Sequence, residues 1–180
     1  MPYIGTALER LTGLSPLIKE SKNKSVLDIG CADCLVAYEF VKAGANYICG
    51  IDVNKNEVDF AKKLLTKTSV AFNVTCANIL ETYQKINTKF DIVLYLGMHH
   101  HFKKIKERKA LVVHLSKICK KYFAVRTTEM EEINTIMAMQ PYKFFLTHSG
   151  VITNVTTNAK PGAIKRNVNR IGPLKIFERK

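Results

Sequence analysis

The sequence predicts an α/β domain: a mostly parallel seven-stranded sheet, its last strand antiparallel, with helices on both faces. Three observations carry this. Compact apolar runs alternate with amphipathic stretches along most of the chain, the order of parallel strands joined by helical crossovers. One run, "FDIVLYLG", is apolar almost throughout, as a strand buried on both faces must be. The last two strand-like runs have no helix between them, so they pair antiparallel across a loop. At 180 residues and 47% hydrophobic content the chain reads as one domain over 1–180, with an N-terminal helix and connector over 1–24 and a core over 25–180.

The elements follow in order. From Tyr3 to Lys24 the reading is a short helix and a polar connector; "ALERLTGLSPLI" has helical apolar spacing, and Pro16 with "KESKNK" interrupts it. "SVLDIG" is the first strand and ends in Gly30. "CLVAYEFVKAG" is a helix with Val36, Ala37, Phe40 and Val41 on one side and Gly44 as its stop signal. "NYICGIDV" is the second strand. Asn54, three residues before Glu57, forms a capping box for the amphipathic helix "EVDFAKKLL". "VAFNVTCANI" and "FDIVLYLG" are the third and fourth strands, and "ERKALVVHLSKICKK" is a helix with Leu111, Leu115 and Ile118 inward. "YFAVRTT" is the fifth strand. Thr128 and Glu131 form a capping box for "EMEEINTIMAM", which Pro141 terminates. "YKFFLTHSGVI" and "GPLKIFERK" are the closing pair, joined by the basic loop "TNAKPGAIKRNVNR" over 157–170.

Composition limits the function classes. No apolar run is long enough to span a bilayer, and "MPYIGTALERL" lacks the basic start and apolar stretch of a secretory signal. The expectation is a soluble, cytoplasmic protein without membrane association. Five cysteines, an odd number in a chain that needs no staples, argue for a reducing compartment. A formal net charge of +13 attracts polyanions through its long-range field. The excess of Lys over Arg, with frequent Asn and Ile, is equally what an AT-rich coding sequence produces.

"VLDIGCADC" (26–34) allows two readings. It is a nucleotide-binding turn that keeps one glycine, or a Cys-x-x-Cys redox pair, Cys31 and Cys34, at a helix start. The turn lies where the first strand meets the first helix, where a tight bend favours residues without bulk and a helix N-terminus favours anionic groups. About twenty residues on, "GIDV" ends the second strand in Asp52, a carboxylate suited to accepting from ribose hydroxyls. The redox reading leaves that acid unexplained.

With these residues, "VLDIGCADC", "GIDV", "CANIL" and "FDIVLYLGMHHH", the chain resembles the Rossmann-like class I S-adenosylmethionine-dependent methyltransferases from about Ser25 to the final strand. The resemblance implies a seven-stranded sheet whose last strand is antiparallel and lies beside the sixth. It implies S-adenosylmethionine as cofactor and S-adenosylhomocysteine as product. Asp28 would orient the turn or the cofactor's amino end; Gly30, Cys31 and Ala32 would line its methionine portion. Asp52 would take the ribose hydroxyls, with Val53 on the adenine. Asn78, beside Ile79, stands where the family often has Asp. Tyr95 and Leu96, with Gly97, would lie beneath the sulfonium, and Met98 and His99 would face the acceptor. The family's Gly-x-Gly-x-Gly positions are Gly30, Ala32 and Cys34 here, so Cys34 adds a side chain where backbone normally packs.

Of the run His99–His101, His100 and His99 are the candidate bases, since imidazole titrates near neutrality. Adjacent histidines rarely converge on one ion, so no metal is expected. The competing reading is a loop start in which they pack for structure. Basic residues cluster in "FKKIKERK" (102–109), in "KICKK" (117–121) and in the last loop. Lys103, Lys104, Lys106, Lys165, Arg166 and Arg170 are placed to hold a phosphate backbone, which makes RNA, or another polyanion, the expected partner. Two alternatives stand beside it: a small-molecule methyltransferase, and a basic binding module with a weakened cofactor site, motivated by Cys34 and Asn78.

Overall fold

The computed structural model describes residues 10–148 and 173–180. Seven strands form one sheet in the order β3-β2-β1-β4-β5-β7-β6. They are β1 (Ser25–Ile29), β2 (Tyr47–Asp52), β3 (Ala71–Cys76), β4 (Phe90–Leu96), β5 (Cys119–Arg126), β6 (Tyr142–His148) and β7 (Leu174–Arg179). The neighbours from β3 through β5 pair parallel, while β7 is antiparallel to both β5 and β6. This is the predicted architecture. Among the described residues no helix is long and apolar enough to cross a membrane.

Strand alternation sorts the apolar side chains into two layers. Val26, Ile48, Ile92 and Leu94 face helices α1 (Ser15–Lys19), α2 (Leu35–Lys42) and α3 (Lys55–Leu65), through Leu17, Phe40, Ala61 and Leu65 among others. Leu27, Ile29, Val93 and Tyr95 face the other layer. There Ile79 of α4 (Ile79–Thr82), Leu111 and Leu115 of α5 (Ile105–Ile118), and Ile133 and Ile136 of α6 (Met130–Ala138) complete the core. The helices therefore cover both faces, as expected.

Several local expectations shift. Pro16 opens α1 instead of interrupting a helix, because a first-turn N–H has no intrahelical partner to lose. Asn54 does cap α3, but its side chain accepts from Asn56 N at 3.1 Å. The predicted capping box at α6 does not form: Glu129 is the N-cap without a side-chain cap bond, and before it Thr127 Oγ1 accepts from Glu129 N at 3.1 Å and donates to Glu129 Oε2. Helix α5 stops at Ile118, and Cys119–Lys121 belong to β5. That junction is pinned by the Tyr142 hydroxyl, which donates to the carbonyls of Ser116 (2.8 Å) and Cys119 (3.1 Å). The basic loop over 157–170, with Lys165, Arg166 and Arg170, lies outside the described residues.

The turn from β1 into α2 enters the left-handed region three times, at Gly30 (φ +72°), Ala32 (+46°) and Cys34 (+58°). These are the three positions of the Gly-x-Gly-x-Gly spacing, so the backbone demand survives where two of the glycines do not. Cys34 does not obstruct the turn. Its thiol is fully buried, and a Cβ on Gly50 of β2 would lie 3.2 Å from it. Asp33 Oδ1 takes over the capping role by accepting from Leu35 N at 3.2 Å.

A left-handed L-residue costs roughly 1–2 kcal/mol, partly offset by its smaller unfolded-chain entropy relative to glycine. Ala32→Gly is therefore expected to stabilise the protein by roughly 0.5–1 kcal/mol in urea unfolding. Cys34→Gly should gain nothing, because it empties the space beside Gly50.

Candidate functional site

The carboxyl ends of β1, β2, β3 and β4 meet at one edge of the sheet. The segments that follow them enclose a pocket of about 300 Å³ lined by Gly30, Ile51, Asp52, Val53, Ala77, Asn78, Ile79, Met98, His101 and Phe102. This is where a doubly wound sheet holds its ligands.

Asp52 ties two of the loops together. Its Oδ2 accepts from Ala32 N at 2.9 Å and its Oδ1 from Asn54 N at 2.8 Å. The Ile51 carbonyl accepts from Gly30 N (2.8 Å) and Cys31 N (3.2 Å), so the β1 turn hangs on the end of β2. A carboxylate offers about four acceptor positions, so Asp52 keeps capacity toward the pocket it lines. Gly30 has no room for a side chain, since a Cβ there would lie 2.1 Å from Met98 Sδ. Val53 presents an apolar side chain that is 67% exposed. Asn78 caps α4: its Oδ1 accepts from Leu80 N at 3.1 Å and its Nδ2 donates to Glu81 Oε1 at 2.8 Å.

Among the residues expected to bind a cofactor, the pocket brings together Gly30, Asp52, Val53, Asn78 and Ile79. Asp28, Cys31, Ala32, Tyr95 and Leu96 do not line it. Asp28 lies inside the sheet, level with Gly50 on β2 and Leu94 on β4. Burial pushes its carboxyl up to about 7, against the pull of Arg10. Ala32 contributes its N–H to Asp52, Tyr95 is fully buried, and Leu96 packs on the layer of α2 and α3. Cys31 is buried, and its interaction with Cys34 together with burial drives the thiol far above its ordinary range. A redox cysteine needs the opposite, an accessible, acidified thiol.

The three histidines part company on a 3₁₀ turn, His99–His101. His99 is fully buried and lies off the pocket, which corrects its reading as a base facing the acceptor. Its Nδ1 is 3.2 Å from the Tyr95 hydroxyl and its Nε2 is 3.3 Å from Glu132 Oε1, off line for a hydrogen bond. His100 is exposed and does not line the pocket; His101 does. Burial and the neighbouring His100 hold His101 below the usual imidazole range. Sequence reasoning also missed Ile51, Ala77 and Phe102. The first two adjoin Asp52 and Asn78, which motif spacing did find; nothing local marks Phe102. Among the described residues no three His, Cys, Asp or Glu side chains gather as a metal site.

The family profile described as "Methyltransferase domain" matches residues 26–121. The chain belongs to the methyltransferase-domain family. This methyltransferase domain resembles, over 93 residues at 31% identity, the ribosomal protein L11 methyltransferase of Thermotoga neapolitana, covering 50% of the chain and 34% of that protein. It is also 31% identical over 80 residues to a ubiquinone biosynthesis O-methyltransferase of Coxiella burnetii, covering 44% of the chain and 33% of that protein. The chain thus spans about a third of the length of the curated relatives it matches. In structure it superposes on magnesium protoporphyrin IX methyltransferase from Synechocystis PCC 6803, solved with S-adenosylmethionine, at a TM-score of 0.76 and 15% identity, over 98% of this chain and 81% of that one. The N-methyltransferase NodS from Bradyrhizobium japonicum, in complex with S-adenosylhomocysteine, gives 0.73 and 14%, over 96% and 86%. The class I methyltransferase resemblance thus holds at the level of family and fold.

Asp28 gives this domain a pH signature. Its folded pKa lies above the unfolded carboxylate value, so the native state holds the extra proton and stability falls as pH rises from about 4 to about 7. Asp28→Asn removes that loss. In urea unfolding, the difference between variant and parent should move in the variant's favour by several kcal/mol from pH 4 to pH 8. A pH-independent difference contradicts the assignment.

Proposed function

We propose that this chain is an S-adenosylmethionine-dependent methyltransferase that holds its cofactor in the pocket and acts on RNA. The observation that carries the cofactor reading is Asp52: a carboxylate at the tip of β2, clamped to the β1 turn and still open to the pocket. The residues fit such a ligand. Asp52 offers acceptors for a diol, and Val53 and Ile79 offer apolar faces for a base, while the space over Gly30 is taken by the flexible Met98 side chain. When bound, the cofactor supplies an electrophilic sulfonium methyl group and leaves as S-adenosylhomocysteine.

The protein's own work is placement. Asp52 takes the ribose hydroxyls, and the methionine portion passes over Gly30 once the flexible Met98 side chain swings aside. Asn78 keeps part of its acceptor capacity for the adenine amino group although its side chain caps α4. His101, neutral at pH 7, takes the proton released by the acceptor, in place of His100. In-line alignment supplies much of the rate.

RNA is favoured by the +13 charge and by Lys103, Lys104 and Lys106, all exposed immediately after the pocket residues His101 and Phe102. Lys165, Arg166 and Arg170 extend that charge in the sequence. The second reading is a small-molecule acceptor, favoured by the name of the Coxiella relative.

Titration calorimetry should find micromolar binding of both S-adenosylmethionine and S-adenosylhomocysteine, weakened at least about tenfold in Asp52→Ala. Unchanged affinity in that variant would place the site elsewhere, and no binding by the parent would remove the reading. A single-stranded RNA oligonucleotide should bind with an affinity that falls steeply with salt, and each of Lys103→Gln and Lys106→Gln should lower the logarithmic salt slope by about 0.7. Salt-insensitive binding, with turnover on a metabolite, would favour the small-molecule acceptor.

A further inference from the structure

Behind the pocket wall, four polar side chains from four elements meet at the edge of the core, Tyr95 and His99 fully buried and Arg108 and Glu132 half-buried. Tyr95 comes from β4, His99 from the 3₁₀ turn, Arg108 from α5 and Glu132 from the first turn of α6. Arg108 grips Glu132 with two bonds, Nε to Oε1 at 3.0 Å and Nη2 to Oε2 at 2.7 Å. Glu132 Oε1 faces His99 Nε2 at 3.3 Å, and His99 Nδ1 faces the Tyr95 hydroxyl at 3.2 Å. None of the four lines the pocket, yet His99 opens the 3₁₀ turn whose neighbours Met98, His101 and Phe102 line it.

A partly buried ion pair contributes modestly to stability, because water still screens part of its attraction. What the pair supplies is direction. The bidentate bond fixes the Glu132 carboxylate in one orientation, and that carboxylate attracts one edge of an imidazole whose other edge meets Tyr95. Burial keeps His99 below the usual imidazole range, against the pull of Glu132, so the ring is neutral and its two edges keep distinct roles.

We propose that Glu132, clamped by Arg108, acts through His99 as a positioning residue of the cofactor pocket, fixing the 98–102 turn in its binding conformation. This rests on the reading of the pocket as an S-adenosylmethionine site. It assigns a role to residues on α5 and α6 that touch no ligand.

The test is S-adenosylhomocysteine affinity by calorimetry, well below each variant's Tm, in the parent, Glu132→Ala, Glu132→Gln and His99→Gln. Leu65→Ala, at the far end of α3, is the control for lost stability. The expected result is about tenfold weaker binding in the Glu132 and His99 variants, with the control unchanged. Glu132→Gln keeps the side chain's volume and gives the answer if Glu132→Ala fails to fold. Parent-like affinity in folded Glu132→Gln and His99→Gln, whatever their Tm, overturns the positioning role alone. A parent that binds no S-adenosylhomocysteine overturns both this inference and the reading beneath it.

Discussion

One carboxylate sits between two backbone N–H groups, and the pocket depends on it. Asp52 accepts from Ala32 on the β1 turn and from Asn54 at the start of α3. Charge-assisted bonds of this kind are stronger than neutral ones, which matters because the turn they hold is strained. Ala32 and Cys34 occupy left-handed backbone that glycine would adopt freely. The same carboxylate therefore holds a costly turn in shape, aligns the entry to a helix and faces the cavity. Moving it by a turn of either loop would dismantle all three.

Most of the sheet was legible because its signals are physical and local. "FDIVLYLG" has no polar face, so it had to lie between two layers, and β4 does. The closing runs lacked a helix, so they had to pair antiparallel, and β7 does so with both neighbours. What failed was the placing of boundaries. "SKICKK" continues the helical pattern of α5, but the chain enters β5 at Cys119 because the sheet claims those backbone groups. Thr128 and Glu131 have capping-box spacing, yet α6 begins after Glu129 with no side-chain cap, and Thr127 bonds Glu129 in the turn before it.

The site was legible in part, for an equally specific reason. Gly30, Asp52 and Asn78 follow strand ends at motif spacing, and all three reach the pocket. The histidines could not be sorted from sequence. A 3₁₀ turn rotates successive side chains by about 120°, so His99 points into the core, His100 to solvent and His101 to the cavity. Three identical letters carry no record of that rotation. Glu132 and Arg108, distant in sequence, were invisible until α5 and α6 brought them together.

The order β5-β7-β6 has a consequence for how the chain acquires its shape during synthesis. Strand β6 is made before β7, yet among the described strands β7 is its sole neighbour. Until residues 174–179 emerge from the ribosome, β5 presents a bare edge and β6 has nothing to pair with. The parallel half, from β3 to β5, is already complete by then, and with it the four strand ends that make the pocket. A nascent chain stalled just short of β7 would carry a formed cavity beside an unpaired strand edge, a surface prone to aggregation or chaperone capture.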